Sequence, residues 1–362
     1  MTTLICTECG QEAQPLDWRC TACHSPLDFV ELSAFDADAI DGGNFSLWRY
    51  GAMLPVEKRI SLGEGLTPLA QVTIDGRDLF LKLEYLNPTG SYKDRGTVTM
   101  LNHIAAQGVT EVVEDSSGNA GASVAAYSSA LGIRSRIFVP ASGSPAKKAL
   151  IRAFGGTLEE VEGPQHAKTE ACERAAETTP YASHAWSPYF LLGQMTAAYE
   201  LYEQMGHKAP YAIATPLGHG GLFLGLARGF TKLKDAGLIE RVPRLFAIQA
   251  ANSDPVVRGW ESGADVPPVY EVQPTVADGI IVKVPVRGKA VLEAIRESAG
   301  AALRVAEGDI LSAQATLAQH GFIAEPTSSV TLAALPQLRD MVPAGESLVL
   351  VLTGNGLKNV GR

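Results

Sequence analysis

From about residue 79 onward, short apolar runs alternate with longer alanine-rich stretches along the chain. The runs are rich in Val, Ile, Leu and Phe, which favours buried strands, and the stretches between them have the composition of helices. This alternation predicts α/β layers with largely parallel sheets, in which ligands bind where the carboxyl ends of strands lead into helices. The clearest runs lie at residues 111–113, 137–139, 212–214, 245–248 and 348–352.

The size and charge of the chain limit its domain number and its partners. A length of 362 residues predicts two or more domains. The composition, 46% hydrophobic and 19% charged, is typical of folded globular proteins, and the net charge of -9 provides no basic face for nucleic acid or an anionic membrane. Neither a secretion signal nor a membrane-spanning run is evident, so we expect a cytoplasmic protein that binds neither nucleic acid nor membranes.

Four of the five cysteines lie in the first 23 residues, as Cys6-x2-Cys9 and Cys20-x2-Cys23. Two tight turns of this kind can present four thiolates tetrahedrally to zinc, and the gap between them is long enough for a small hairpin. Disulfide pairs are the alternative, although a reducing compartment disfavours them. We interpret the cluster as a structural zinc site, because four thiolates leave no open coordination position.

The segment 87–96, Asn-Pro-Thr-Gly-Ser-Tyr-Lys-Asp-Arg-Gly, places one lysine in a turn between a strand-like run and a helical run. Pro88 interrupts regular ladder or helix geometry, and Gly90 permits a sharp turn. A lysine held in such a turn suits use as a chemical group, whereas a solvated lysine is the ordinary alternative. Lys93 is therefore the first candidate for chemistry, and the other motifs of the chain bear on the choice.

Two glycine-containing loops stand where apolar runs lead into helical stretches. In residues 116–121 (Ser-Ser-Gly-Asn-Ala-Gly), backbone N–H groups at a helix amino end favour an anion such as a carboxylate. In residues 215–221 (Thr-Pro-Leu-Gly-His-Gly-Gly), glycines let several N–H groups converge on a phosphate. This second loop lacks the lysine of a P-loop and the spacing of a dinucleotide fingerprint. An N-cap turn and a tight strand-to-helix turn are the structural alternatives.

Two further segments offer hydroxyl groups. Thr353 follows the apolar run 348–352 and can present its hydroxyl at a strand end, although a simple turn explains this segment equally well. Residues 325–329, Glu-Pro-Thr-Ser-Ser, form either part of a site or a helix cap. Pro326 stops the preceding segment, and Thr and Ser begin helices readily.

In this order along the chain, the motifs resemble those of the fold-type II pyridoxal-phosphate enzymes, and most closely those of the threonine synthase family. The resemblance covers nearly the whole chain. It implies an α/β fold similar to that of the tryptophan synthase β subunit, with two three-layer α/β/α domains and a small N-terminal zinc-ribbon-like module. It also implies a homodimer. The motifs are residues 63–69, 87–96, 116–121, 218–221, 325–326 and 352–358.

The expected domains divide the chain into four segments. We expect the zinc-ribbon-like module at residues 1–30, followed at 31–85 by a linker and the first part of the large cofactor domain. The small domain is expected at 86–190, and the rest of the large domain at 191–362. A linker is predicted after the ribbon because residues 31–60 show no clear periodicity.

The resemblance implies a role for each candidate residue toward pyridoxal 5'-phosphate and a small amino-acid substrate. Lys93 would hold the cofactor as a Schiff base and, once released, remove the α-proton of the substrate. Asn119 would bond the ring hydroxyl, and Thr353 would face the pyridine nitrogen, where a hydroxyl suits elimination chemistry. The cofactor phosphate would lie in the loop formed by Gly218, His219, Gly220 and Gly221. The substrate carboxylate would be bound by Ser116, Ser117 and Ala120.

The segment 186–196 departs from the family pattern at three positions. Threonine synthases convert O-phosphohomoserine to threonine and phosphate, so their site must hold a second phosphate with cationic side chains. The family commonly carries arginine, glutamate and lysine where this chain has Phe190, Leu192 and Met195. Three polar positions are therefore apolar, and Phe190 is expected to contact the substrate. Candidates to replace the lost phosphate contact are Lys147, Lys148 and Arg152.

Three hypotheses about function follow from this pattern. The first is a threonine synthase with a rearranged phosphate site, which the whole-chain similarity favours. The second is an ammonia-lyase, dehydratase or β-replacement enzyme that acts on an unphosphorylated small amino acid, such as a hydroxy amino acid, which the apolar segment favours. The third is a non-catalytic zinc-ribbon interaction protein, against which the joint presence of Lys93, Asn119 and the glycine loop argues.

Overall fold

The structure, a computed structural model, describes residues 3–164 and 166–359. These residues form two compact units. Unit 1 contains the described residues up to Gly65 together with Lys93–Gly193, and unit 2 contains Leu66–Tyr92 together with the described residues from Gln194 onward. Residues 1, 2, 165 and 360–362, which belong to the predicted domains, lie outside the described residues.

Strands and helices alternate along most of the described chain. The strands are β1 (Leu4–Cys6), β2 (Glu12–Ala13), β3 (Leu27–Phe29), β4 (Leu69–Ile74), β5 (Arg77–Lys82), β6 (Glu111–Glu114), β7 (Arg134–Pro140), β8 (Thr157–Val161), β9 (Ala212–Pro216), β10 (Arg244–Ala250), β11 (Ala301–Val305) and β12 (Leu348–Val351). The α-helices are α1 (Lys93–Ala106), α2 (Asn119–Ala130), α3 (Pro145–Ala153), α4 (Ala167–Ala175), α5 (Pro188–Gln204), α6 (Gly221–Asp235), α7 (Pro255–Glu261), α8 (Gly288–Glu297), α9 (Glu307–Gln319), α10 (Pro326–Ala333) and α11 (Leu335–Met341). Short 3-10 helices lie at Leu47–Met53, Glu84–Leu86, Asp278–Ile280 and Gly356–Asn359. Among the described residues, no helix has both the length and the apolar character needed to cross a membrane.

The first strands of unit 1 form a small antiparallel sheet of order β2-β1-β3. Its core consists of the fully buried Leu27 together with the buried Cys6 and Cys20. A core this small buries little apolar surface, and modules of this size generally depend on a metal or on disulfides for stability.

The second sheet of unit 1 consists of parallel strands in the order β6-β7-β8. On β6, Val113 also forms a parallel bridge with Tyr181. The segment that follows Tyr181 therefore leaves the sheet at the same end as the loop that follows β6, because parallel neighbours run in the same direction. Helices α1 to α4 belong to this unit, and α5 begins in it and continues into unit 2.

Unit 2 is built on a six-stranded sheet of order β11-β10-β9-β12-β5-β4. Every adjacent pair in this sheet is parallel except β4 and β5, which are antiparallel. The neighbouring strands β9 and β12 are entirely buried, and the loops that follow them open at the same edge of the sheet. The predicted α/β layers with largely parallel sheets are confirmed.

Residues 31–65, predicted as a linker with part of the large domain, belong to unit 1 in the structure. The buried carboxylate of Glu64 accepts hydrogen bonds from the Trp48 indole (3.0 Å), the Tyr127 hydroxyl (2.8 Å) and the Leu62 backbone N–H (2.8 Å). Because Tyr127 lies on α2, this carboxylate joins the segment to the body of unit 1. The units also change at Lys93 and near Gln194, rather than at residues 86 and 191.

Candidate active site

The turn that precedes Lys93 is fixed to the segment after β12, within unit 2. The backbone N–H of Tyr92 donates to the Thr353 carbonyl (3.0 Å), and the Lys358 ammonium donates to the Gly90 carbonyl (3.0 Å). Gly90 has a φ of +80°, and a Cβ added there would lie 2.8 Å from Lys358 Cε. Glycine is therefore favoured at this position by its backbone conformation, and any larger residue would also displace the end of the Lys358 side chain.

Lys93 is the first residue of α1, and within unit 1 its side chain lies beside Phe190. Lys93 Nζ is 5.7 Å from the centroid of the fully buried Phe190 ring. A Cβ added to Gly96 would lie only 2.5 Å from Phe190 Cδ2, and Thr99 Oγ1 donates to the Tyr189 carbonyl (2.8 Å). The start of α5 is thus packed closely on the first turns of α1, so Phe190 forms an apolar wall next to the lysine.

The loop at residues 116–121 leads directly into α2, also in unit 1. The N-cap residue Gly118 provides no side-chain cap, and a Cβ added to Gly121 would lie 1.9 Å from the Ser116 carbonyl oxygen. The first N–H groups of α2 therefore need partners other than an N-cap side chain. Ser123 Oγ donates to Asp94 Oδ1 (2.6 Å), which fixes α2 against the residue next to Lys93. The predicted carboxylate-binding loop and the predicted cofactor lysine thus belong to two helices that are hydrogen-bonded together.

The glycine loop at residues 218–221 connects β9 to α6 in unit 2. Gly220 is the N-cap of α6 with a φ of +87° and no side-chain cap, and a Cβ there would lie 2.4 Å from Val291 Cγ2. Among the described residues, the buried Thr215 hydroxyl has no hydrogen-bond partner. A helix amino end without a side-chain cap, preceded by a loop that excludes a Cβ, is the arrangement that binds phosphate groups. The loop therefore fits the phosphate of the expected cofactor.

Thr353 lies next to Ser328, which belongs to the segment 325–329 that the sequence offered as part of a site or as a helix cap. Its hydroxyl is 3.2 Å from the Ser328 hydroxyl, and Ser328 Oγ also accepts from the Gly354 backbone N–H (2.9 Å). Thr353 is 4% exposed and Ser328 is fully buried. The segment 325–329 therefore belongs with Thr353, and the neutral hydroxyl predicted for the ring nitrogen is held by a second neutral hydroxyl.

Glu114 and His184 are a pair that the sequence did not single out. Glu114 is the last residue of β6, it is fully buried, and its Oε1 lies 2.7 Å from His184 Nδ1. His184 follows Tyr181 at the same end of the sheet. The available signal was the pair Glu114-Asp115, two acidic residues that end an apolar run immediately before the predicted carboxylate loop.

The pKa values of the adjacent residues Glu114 and Asp115 are shifted in opposite directions. Burial raises the pKa of Glu114 well above its usual value, and the neighbouring Asp115 charge raises it further. Burial opposes ionisation of Asp115 as well, but the Lys168 ammonium and hydrogen bonds from Thr169 (2.5 Å) and Tyr181 (2.7 Å) lower the pKa of that carboxyl below its usual range. One carboxyl group therefore favours its neutral form, and the next favours its anion.

Two of the three cations proposed as replacement phosphate ligands are already paired. Lys148 Nζ is 2.8 Å from Glu160 Oε2 and also donates to the Ala141 carbonyl. Arg152 NH2 is 2.9 Å from Glu160 Oε1. Two of the three candidates on α3 are thus hydrogen-bonded to one carboxylate.

The four clustered cysteines are brought together in unit 1. Their Sγ atoms all lie within 4.8 Å of one another, with Cys6 Sγ 3.3 Å from Cys23 Sγ and Cys9 Sγ 3.6 Å from Cys20 Sγ. None of the four is in a disulfide. A zinc ion with four thiolates at about 2.3 Å separates neighbouring sulfurs by about 3.8 Å, so this arrangement fits a four-thiolate zinc site.

The chain is similar to pyridoxal-phosphate enzymes over most of its length. The family model described as "Pyridoxal-phosphate dependent enzyme" matches residues 60–354. The chain belongs to this family. It is 32% identical to a threonine synthase of Methanosarcina acetivorans, over 99% of this chain and 93% of that protein. It is 33% identical to a threonine synthase of Methanocaldococcus jannaschii, over 86% of this chain and 80% of that protein.

The fold agrees with these matches. The crystal structure of a threonine deaminase from T.th. superposes with a TM-score of 0.70 at 28% identity, covering 80% of this chain and 92% of that one. The predicted fold-type II α/β fold and the pyridoxal-phosphate cofactor are thereby confirmed. The protein is a pyridoxal-phosphate-dependent enzyme of the lyase type that is similar to threonine synthase, and the hypothesis of a non-catalytic interaction protein is discarded.

Proposed function

We propose that this enzyme is an ammonia-lyase of the dehydratase type, which eliminates water from a small unphosphorylated hydroxy amino acid such as serine or threonine. The observation that carries this proposal is the buried Phe190 ring beside Lys93, at a position where the threonine synthase family commonly has arginine. A phenyl ring offers no hydrogen bond to a phosphate, and replacing a charge-assisted contact by an apolar one weakens phosphate binding by about 1.5–3 kcal/mol.

Two further observations support an unphosphorylated substrate. Leu192 and Met195, which replace glutamate and lysine of the family pattern, are each 1% exposed. Lys148 and Arg152, the candidates for compensation, are paired with Glu160. Moving either side chain onto a substrate phosphate would leave Glu160 with fewer partners, so the compensation hypothesis is the weaker one.

We propose that the predicted site residues hold the cofactor and the substrate as the family resemblance implies. Bound pyridoxal phosphate supplies the electron sink that stabilises negative charge at the substrate Cα. Lys93 holds the cofactor and takes the α-proton, and Asn119 and Thr353 orient the ring through neutral hydrogen bonds. The 116–121 loop binds the substrate carboxylate through Ser116, Ser117 and Ala120. The cofactor phosphate is bound by Gly218, His219, Gly220 and Gly221 at the amino end of α6.

The threonine synthase reaction is the second candidate. It is favoured by the match to the Methanosarcina acetivorans threonine synthase, which spans 99% of this chain. Similarity over the whole chain reflects the shared fold and cofactor site as well as the substrate. The change at Phe190 bears more directly on the substrate, because this residue lies next to Lys93.

The two candidates differ in the product that they release. The purified holoenzyme should form an oxo acid and ammonia from serine or threonine, and should release no phosphate from O-phosphohomoserine. Phosphate release without oxo-acid formation would overturn the dehydratase proposal. The variant Phe190→Leu, which keeps the wall apolar, is the matched control for Phe190→Arg, in which we expect loss of dehydratase activity by crowding and charge beside Lys93.

Two structural features of the holoenzyme are also proposed. A zinc ion bound by Cys6, Cys9, Cys20 and Cys23 is supported by the Sγ–Sγ distances. Metal analysis of the purified protein should give one zinc per chain. A cytoplasmic homodimer is our prediction from the family resemblance, and sedimentation of the purified protein tests the oligomeric state.

A further inference from the structure

Lys93, Phe190 and His184 form one cluster within unit 1. Lys93 Nζ lies 5.7 Å from the centroid of the Phe190 ring, and the His184 ring lies 6.2 Å from the same centroid in an edge-to-face arrangement. Both nitrogen-bearing side chains thus lie against one aromatic wall. His184 is 15% exposed, whereas Glu114 behind it is completely buried. The histidine is therefore the member of the Glu114–His184 pair that a small molecule can reach.

The Glu114 carboxyl group is incompletely hydrogen-bonded. Its Oε1 lies 2.7 Å from His184 Nδ1, but the buried Oε2 has no hydrogen-bond partner among the described residues. An ionised carboxylate with one oxygen buried and unbonded is costly, and protonation removes most of that cost. The geometry thus favours a carboxyl group that retains a proton and shares it with the imidazole.

The number of protons held by the Glu114–His184 pair determines whether His184 Nε2 carries a proton. If Glu114 is protonated it donates to Nδ1, and the neutral imidazole then carries its own proton on Nε2. If the shared proton moves to Nδ1, the imidazole is a cation that again carries a proton on Nε2. As long as the pair holds two protons, the nitrogen turned away from Glu114 is an N–H donor.

The charged and titratable groups around the pair come from several elements. Asp115 follows Glu114 in the loop after β6, Lys168 and Cys172 lie on α4, Tyr181 lies at the sheet edge, and Lys93 begins α1. The Asp115 anion, bound by Lys168, Thr169 and Tyr181, opposes a second negative charge on Glu114. The Lys168 and Lys93 ammonium groups act in the opposite direction, but burial of Glu114 outweighs them. Two neighbouring carboxyl groups with pKa values pushed apart are a frequent mark of acid–base chemistry.

We infer that His184 is a second catalytic residue, which donates the Nε2 proton to the leaving hydroxyl of the substrate, and that Glu114 is the positioning residue that holds and recharges it. This inference rests on the proposed dehydratase function, because it concerns the hydroxyl leaving group. Nothing in the family resemblance assigns a role to either residue.

The proposed step is balanced and involves no net oxidation. The Lys93 amine takes the proton from Cα, and the electron pair of that C–H bond becomes the Cα–Cβ double bond. The Cβ–O bond breaks, and the oxygen keeps its electron pair and receives the His184 Nε2 proton, so that water leaves. The pair then holds one proton, shared between Glu114 and Nδ1. Transfer of the proton carried by Lys93, directly or through solvent, restores both groups.

The test compares leaving groups that differ in their need for a proton. Hydroxide is a poor leaving group, whereas chloride leaves without protonation. The substitution His184→Asn should lower turnover of serine by about 10²–10⁴-fold, the usual contribution of a general acid. Elimination of chloride from β-chloroalanine by the same variant should fall by less than about tenfold, because that step needs no acid. His166→Asn, which changes an exposed histidine of the same unit, is the matched control and should match the wild type on both substrates.

The outcomes separate this inference from the proposed function. Equal losses on serine and β-chloroalanine would overturn the role of His184 as acid while leaving the dehydratase proposal intact. A wild-type enzyme inactive toward both substrates would overturn the dehydratase proposal and this inference with it. Unchanged visible absorption of the bound cofactor in His184→Asn shows that the variant still binds pyridoxal phosphate, so a loss of turnover is then a loss of chemistry.

Two further measurements probe the protons of the pair, and the first of them needs neither turnover nor a variant. Nitrogen NMR of histidine-labelled wild-type protein, with and without the cofactor, should show His184 Nε2 protonated through the pH range in which free imidazole titrates. In Glu114→Gln the side-chain amide still donates a hydrogen bond to Nδ1 but cannot transfer a proton to it. The decrease of serine turnover at alkaline pH should therefore begin at a lower pH than in the wild type. An unprotonated Nε2 in the wild type, or an unshifted profile in Glu114→Gln, would contradict the inference.

Discussion

The buried cluster around Lys82 in unit 2 and the one around Glu114 in unit 1 differ in how completely their polar atoms are hydrogen-bonded. Lys82 Nζ donates to Glu200 Oε2 (2.8 Å), Gln204 Oε1 (2.9 Å) and the Thr67 carbonyl (2.7 Å). An ammonium group has three N–H donors, and all three are used. The second Glu200 oxygen accepts from the Leu66 backbone N–H (2.8 Å).

Glu114 is as fully buried as Glu200, but its hydrogen bonding is incomplete. Its Oε1 is bonded to His184, while Oε2 lacks a partner among residues 3–164 and 166–359. A fully bonded cluster fixes the backbone around it and has no proton to give, because any change costs a hydrogen bond. An incomplete one retains a proton that can move. Burial of charge alone therefore does not distinguish the two clusters, and it is the unbonded Glu114 Oε2 that supports the proposed proton chemistry.

The largest expected effect is on chemistry beside the incomplete cluster. Lys93→Ala removes the amine that we propose holds the cofactor and takes the α-proton, so turnover of serine and threonine should fall to background. The unfolding midpoint in urea should change little. Lys208→Ala, which truncates an exposed lysine, is the control and should keep full activity. Substantial turnover by Lys93→Ala would show that the cofactor lysine has been misassigned.

The next largest effect is on stability at the complete cluster. Lys82→Met leaves Glu200 buried without its cation, and the free energy of unfolding should fall by about 3–5 kcal/mol, measured by urea unfolding. The double variant Lys82→Met/Glu200→Met should recover part of that loss, because two apolar side chains can replace a buried ion pair. Turnover per folded molecule should be retained in both. A loss of turnover without a loss of stability would contradict the structural role of Lys82.

The N-terminal module formed by the first three strands is a third kind of region, because its core is small and we propose that a metal ion stabilises it. It packs on the rest of unit 1 through Trp18, whose ring lies 5.1 Å from that of Tyr181 and 5.2 Å from that of Trp186. Cys9→Ser should lower the zinc content per chain and the unfolding temperature far more than turnover of the folded fraction. Cys172→Ala, outside the cluster, should keep its zinc. A Cys9→Ser protein with unchanged metal content would show that the four thiols are not a zinc site.

The smallest expected effect is a dependence of stability on pH. Burial and then the Asp115 charge raise the pKa of Glu114, so the native state retains a proton at pH values where the unfolded chain has already released it. The stability that this group contributes is complete below the unfolded pKa and is lost as the pH rises toward the native pKa. Glu114→Gln cannot release a proton, and should gain stability relative to the wild type as the pH rises from about 4 toward neutrality.

Urea unfolding at a series of pH values measures this difference. Glu162→Gln, an exposed carboxyl group of unit 1, is the control and should follow the wild type at every pH. A stability difference between Glu114→Gln and the wild type that does not vary with pH would mean that Glu114 is already ionised in the native protein.

The fold class, the cofactor family and the segments that supply candidate site residues could all be predicted from the amino-acid sequence. Those features are encoded locally, because apolar runs mark strands, Gly90 and Gly220 occupy positions of positive φ, and Gly121 leaves no room for a Cβ beside the Ser116 carbonyl. The departure at Phe190 was likewise visible as a change of residue type within a recognisable motif.

Which distant residues meet could be learned only from the folded chain. Glu114 and His184 are 70 positions apart, and only the parallel bridge between Val113 and Tyr181 places their loops at the same end of one sheet. Residues 31–65 are likewise joined to unit 1 by remote contacts, among them the bond from Tyr127 to the buried Glu64 carboxylate and the bonds of Asn102 to the backbone of Arg59 and Ile60. Such contacts leave no periodic signal, because a hydrogen bond between remote side chains requires only one residue from each segment.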